Sequence, residues 1–137
     1  MEPEDAVGVL RNVHRVCRPG GSVLDLTCVP PAAAVELDGR RLGRLDERRF
    51  LERAAQTEAA VDLLIDEGRL LEEASLAHDV LKHYSSGPEL VAQVSEREHT
   101  RVPPALARAL AGVDFPVVER TNCLLRRLRV LPGPSRR

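Results

Sequence analysis

Leu10-Arg11-Asn12-Val13-His14-Arg15-Val16-Cys17-Arg18-Pro19-Gly20-Gly21-Ser22-Val23-Leu24 decides the fold, because a helix, a reversal and a strand meet in it. The helix spans 3–17. Pro3 suits its first turn, where a missing N–H costs nothing, and Glu4 and Asp5 face the positive end of the helix dipole. Ala6, Val7, Leu10, Val13 and Cys17 recur at three- and four-residue spacing and make one apolar face. Arg15 and Arg18 lie at the negative end, and Pro19-Gly20-Gly21 stops the helix and turns the chain. Ser22-Val23-Leu24-Asp25-Leu26-Thr27-Cys28-Val29 is short, largely apolar and rich in β-formers, which predicts a buried strand ended by Pro30-Pro31. The succession predicts an α/β fold.

Outward from this stretch, Asp38-Gly39 predicts a hairpin with a two-residue type I′ turn, since both positions tolerate positive φ. That register sets Leu37 opposite Arg40, Glu36 opposite Arg41 and Val35 opposite Leu42, with an ion pair on one face and an apolar pair on the other. Asp46 caps a helix over 47–67. Phe50, Leu51, Ala54, Ala55, Val61, Leu64 and Ile65 form its stripe, Glu58 is the one polar intrusion, and Gly68 closes it. Residues 70–84 read both ways: Leu70, Ala74, His78 and Leu81 fit a helix, and Leu76, Val80 and Tyr84 a strand, with periodicity slightly favouring the helix. Ser86 and Glu89 have capping-box spacing at the start of a helix to about Glu98. Pro103 starts another that ends near Gly112. Residues 116–131 alternate as a long strand with Val118, Leu124, Leu128 and Val130 on one side, and 132–137 form a disordered tail.

Composition narrows the function. At 137 residues the chain suits one domain. With Phe50, Phe115 and Tyr84 its only aromatics, its core must be Leu, Val and Ala. Twenty basic and 21 acidic residues give a net charge of -1, which argues against a nucleic-acid or membrane-surface partner. Cys17, Cys28 and Cys123 are odd in number and far apart in sequence, so they suggest buried thiols in a reducing compartment rather than a disulfide framework or metal site. The acidic start Met1-Glu2-Pro3-Glu4-Asp5 is unlike a signal peptide, and no apolar run nears the roughly 18 residues of a membrane helix. These features predict a cytoplasmic protein.

The stretch from Leu10 to Leu24 resembles class I S-adenosylmethionine-dependent methyltransferases, in which an amphipathic helix ends in an Arg-Pro-Gly-Gly turn and enters the fifth strand. The resemblance implies a partial Rossmann-like α/β sheet, with strands 5-7-6, flanking helices and a small hairpin. It makes 70–84 the sixth strand and sets 116–131 antiparallel between it and 22–28. It covers about residues 3–131, read as a single half-domain over 1–131. The family's donor-binding loop is missing, because the nine glycines never fall in a GxGxxG-like arrangement. The chain therefore resembles the C-terminal, substrate-side half, whether as a shortened product, a misassigned start or a degenerate relative. Full-length relatives use S-adenosylmethionine; this half alone is expected to bind no cofactor, hold no metal and complete no catalytic site.

Ligands in open α/β sheets sit beyond the carboxyl ends of parallel strands. The resemblance thus implies Thr27, Cys28, His83 and Tyr84 as substrate-lining residues for a small molecule. His78 and His83 are five apart, so on a strand they face opposite sides and cannot share a metal. Arg126, Arg127 and Arg129 read as solvent-facing strand residues that lead into a basic tail. The other reading is a non-enzymatic assembly module. Without a fourth strand, Val23 to Cys28 would present an open apolar edge, suited to self-association or a partner chain.

Overall fold

A computed structural model describes residues 3–133 of the chain. The elements run α1 (Pro3–Val16), β1 (Ser22–Cys28), β2 (Ala34–Leu37), β3 (Arg40–Arg44), α2 (Arg48–Asp66), β4 (Leu70–Tyr84), α3 (Gly87–Ser95), α4 (Pro104–Leu110) and β5 (Val117–Val130). The fold is mixed α/β, with an antiparallel sheet ordered β1-β5-β2-β3 and β4 on β5. Residues 70–84 are thus a strand, against the slight preference of their periodicity, and β5 pairs with both β1 and β4. Among the described residues no helix is long and apolar enough to cross a membrane. The expected tail falls largely on 134–137, outside the described residues.

The chain divides into two units, one of residues 1–27, 53–77 and 124–137 and the other of 28–52 and 78–123. In the first, Val61, Leu64, Leu70, Leu128 and Val130 form the core, with Leu10, Cys17, Val23 and Ile65 packed on it. Each such side chain, once fully buried, contributes about 1.5–3 kcal/mol. The turn after α1 needs its glycine: Gly20 adopts φ 84°, and its N–H bonds the Val130 carbonyl at 2.7 Å. Buried His14 fixes α1 through Nε2, 2.8 Å from the Leu131 carbonyl. Arg126 corrects the solvent-facing expectation. It is buried and meets Asp62 at 2.9 Å, Asp25 at 3.5 Å, Glu72 at 3.8 Å and Glu58 in a closer bond. Glu58 interrupts the apolar stripe of α2 because this guanidinium needs a counter-charge inside.

In the second unit, Val35, Leu45, Tyr84, Leu90, Val94, Leu106, Leu110 and Val117 lie in one core. The hairpin turns at Asp38 (φ 50°) and Gly39 (φ 75°) as expected. Leu37 faces Arg40 and Glu36 faces Arg41, but a register shift between Val35 and Glu36 sets Val35 opposite Gly43, not Leu42. The expected Glu36–Arg41 pair gives way to Arg120, whose Nε lies 3.1 Å and 3.2 Å from the Glu36 carboxylate and whose Nη1 reaches Asp79 at 3.0 Å. β2 pairs with β5 directly, which brings Arg120 within reach. Burial along β5 also departs from one fixed parity. Val117, Glu119 and Cys123 are buried in this unit, and Arg126, Leu128 and Val130 in the other.

Candidate functional site

The second unit holds a half-open cavity of about 400 Å³, lined by Cys28, Glu47, Phe50, Arg97, Glu119 and Thr121 among others. Glu119 and Thr121 share one face of β5 through strand alternation. Glu47 precedes α2, where a two-way backbone bridge, Asp46 N–H to Arg101 carbonyl at 2.8 Å and the reverse at 2.9 Å, pins the segment after α3 beside the helix start. Asp46 acts as the expected cap, its carboxylate 3.4 Å from the Arg48 N–H. α3 begins at its capping residue, with the Ser86 hydroxyl accepting from the Glu89 N–H at 3.2 Å. Its last turn fixes Arg97, whose N–H bonds the Val94 carbonyl at 3.0 Å.

Arg97 grips Glu119 bidentately, Nη1 to Oε2 at 2.9 Å and Nη2 to Oε1 at 2.8 Å. The Tyr84 hydroxyl donates to Glu119 Oε1 at 2.8 Å and accepts from Arg97 Nη2 at 2.9 Å. Burial alone would raise the Glu119 carboxyl, but these donors outweigh it and hold the group below its ordinary range. The Tyr84 phenol moves to about 12, through burial and then its acceptor Glu119. Glu47 is the contrasting carboxylate. It is buried, and the Ala33 N–H donates to its Oε2 at 2.9 Å. Burial raises its pKa, the Ala33 bond opposes this and the Glu119 charge adds to it. Burial first, and then Cys123, push the Cys28 thiol up to about 11.

Two carboxylates in one cavity thus differ in character. Glu119 is held as an anion by a guanidinium and a phenol, whereas burial shifts Glu47 toward its protonated form. Among the described residues no group of three or more His, Cys, Asp or Glu side chains is arranged to hold a metal.

Of the residues expected to line a substrate site, Cys28 lines the cavity and Tyr84 stands behind it, bonded to Glu119. Thr27, half-buried, and His83, exposed, are not among its lining residues. His83 neighbours Tyr84 on a strand, so it points the opposite way. Glu47, Arg97 and Glu119 were not expected. The available signal was the β5 series Val117, Glu119, Thr121, Cys123, one charge in an otherwise compact alternating row.

No protein-family profile, curated protein or solved structure matches the chain.

Proposed function

We propose that these residues form the acceptor-side half of a class I S-adenosylmethionine-dependent methyltransferase. One observation carries the reading. β5 runs antiparallel between β1 and β4, so those two are parallel to each other, and α2 lies between them in the chain. This arrangement supports assigning them as the fifth, seventh and sixth strands, with the Arg18-Pro19-Gly20-Gly21 turn at the entrance to the fifth.

The donor itself does not fit the residues present. The positive-φ glycines Gly20, Gly39 and Gly68 close α1, the hairpin and α2. None joins a strand to a helix N-terminus, where a phosphate- or nucleotide-cradling loop belongs. The chain's own part is the cavity, which would take a small acceptor, with Glu47 to receive a proton from its hydroxyl or amine.

Reading the transcript in frame on the 5′ side of Met1 tests this. A glycine-rich strand–loop–helix there supports the reading. A stop codon, with no second polypeptide supplying that half, overturns it.

A separate observation favours a second reading, a pairing module. β1 ends the strand order with β5 as its neighbour, and Leu24 and Leu26 on it are 68% and 59% exposed. An open apolar edge is a template for another strand, from a second copy or a partner chain. Light scattering should then show self-association that Leu24→Glu abolishes, and a monomer at all concentrations would exclude self-pairing.

A further inference from the structure

We propose that Cys28 and Cys123 form a modification site, a cross-strand thiol pair that takes a disulfide oxidant and closes to an intramolecular disulfide. This inference does not depend on the methyltransferase reading.

Strand register carries the argument. The Val130 N–H bonds the Gly21 carbonyl at 2.8 Å and the Val29 N–H bonds the Asn122 carbonyl at 3.0 Å. The second bond joins residues that stand directly opposite in an antiparallel register. That register places Cys28 opposite Cys123, one step in from a hydrogen-bonded pair. Cys28 and Cys123 therefore occupy a non-hydrogen-bonded position, where Cα atoms stand about 4.5 Å apart and side chains are closest. Disulfides need a Cα separation of roughly 4.4–6.8 Å, so the bridge requires no backbone rearrangement. The two side chains lie on the same face of the sheet, and the Cys123 thiol is a hydrogen-bonding neighbour of Cys28.

Access is asymmetric. Cys28 is half-buried and lines the cavity, whereas Cys123 is buried at 4% exposure. Cys28 is therefore the attacking thiol and Cys123 the resolving one. The Cys28 thiol loses its proton to solvent, and its sulfur attacks one sulfur of oxidised glutathione. That S–S bond breaks, a mixed disulfide forms on Cys28 and one glutathione leaves as thiolate and takes up a proton. Cys123, deprotonated in turn, attacks Cys28 Sγ and expels the second glutathione, which is likewise protonated. Two electrons and two protons thus pass from the thiol pair to the oxidant, giving one protein disulfide and two glutathione thiols. Burial holds Cys28 protonated at neutral pH, so the reaction is slow there and quickens as pH rises.

The test uses the whole, folded chain. It is incubated with oxidised glutathione at pH 8, its remaining thiols are alkylated without denaturant, and non-reducing peptide mapping by mass spectrometry follows. The expected result is a peptide linking Cys28 to Cys123, unchanged in Cys17→Ser. In Cys123→Ser, Cys28 should instead retain glutathione. Mixed disulfides that persist on the wild-type chain would overturn the proposal. So would a chain that forms the Cys28–Cys123 link only after unfolding. The wild-type map decides the matter even if Cys123→Ser fails to fold.

Discussion

Replacing Arg126 with methionine keeps the length and apolar stem of the side chain and deletes its charge. The Arg126 side chain is 8% exposed, and the more buried of its carboxylate partners, Glu58 and Asp25, are 18% and 21% exposed. Removing one partner of a buried ion pair costs about 3–5 kcal/mol, because the other charge stays buried and unpaired. Asp62 and Glu72, at 59% and 42% exposure, are largely solvated and add little. For a chain of this size the loss corresponds to a fall in melting temperature of about 10–20 °C. Its pH dependence has a definite sign. Burial first, and then Asp25, push the Glu58 carboxyl from 4.5 up to about 7. A carboxyl raised on folding gives its full contribution below its unfolded value, and that contribution is lost as pH rises through the folded one. Without Arg126, Glu58 has a greater need to remain protonated. The deficit should therefore be largest near pH 8 and shrink by pH 5. Thermal unfolding followed by circular dichroism at both pH values is the assay. A shift below about 3 °C at pH 8, or equal deficits at both, would show that Arg126 does not compensate buried carboxylates.

Three further outcomes are expected. Tyr84→Phe should cost about 1.5–3 kcal/mol in urea unfolding, the value of a hydrogen bond to a charged group, since the bidentate Arg97–Glu119 pair survives. Gly39→Val places a β-branched residue at φ 75°, which should destabilise the chain by about 1–3 kcal/mol; unchanged melting would argue against the hairpin turn. The Cys28–Cys123 bridge should raise the melting temperature of the oxidised chain relative to the reduced one, toward the limit of about 4.7 kcal/mol for closing a loop of roughly 100 residues.

Local chemistry made much of the fold legible. The Pro19-Gly20-Gly21 stop, the Asp38-Gly39 turn and the Ser86 cap act within a few residues, and each sits where its residues require. Residues 70–84 were ambiguous for a physical reason. Most of β4 is exposed, so no buried face imposed a period of two on its sequence. The hairpin register failed at Val35 because β2 also serves β5, a constraint from more than 80 residues away in sequence. Arg126 looked solvated because the carboxylates that compensate it come from α2, β1 and β4. Of the residues expected to line a site, Cys28 falls on the cavity and Tyr84 behind it. Glu47 opens the helix expected over 47–67 and Arg97 falls in the last turn of the one expected to about Glu98, positions where a charge is commonplace. Their roles depend on the Asp46–Arg101 bridge, which no local pattern announces.

Under the proposed function, this chain holds the acceptor side of a methyltransferase without the means to grip its donor. Calorimetric titration of the 137-residue chain with S-adenosylmethionine tests it directly. Contacts at the far wall of a donor pocket would barely offset the roughly 4 kcal/mol or more lost in translational and rotational freedom. The predicted result is an affinity weaker than about 1 mM, which corresponds to about -4 kcal/mol. Saturable one-to-one binding in the micromolar range would contradict a half-domain that lacks the donor site.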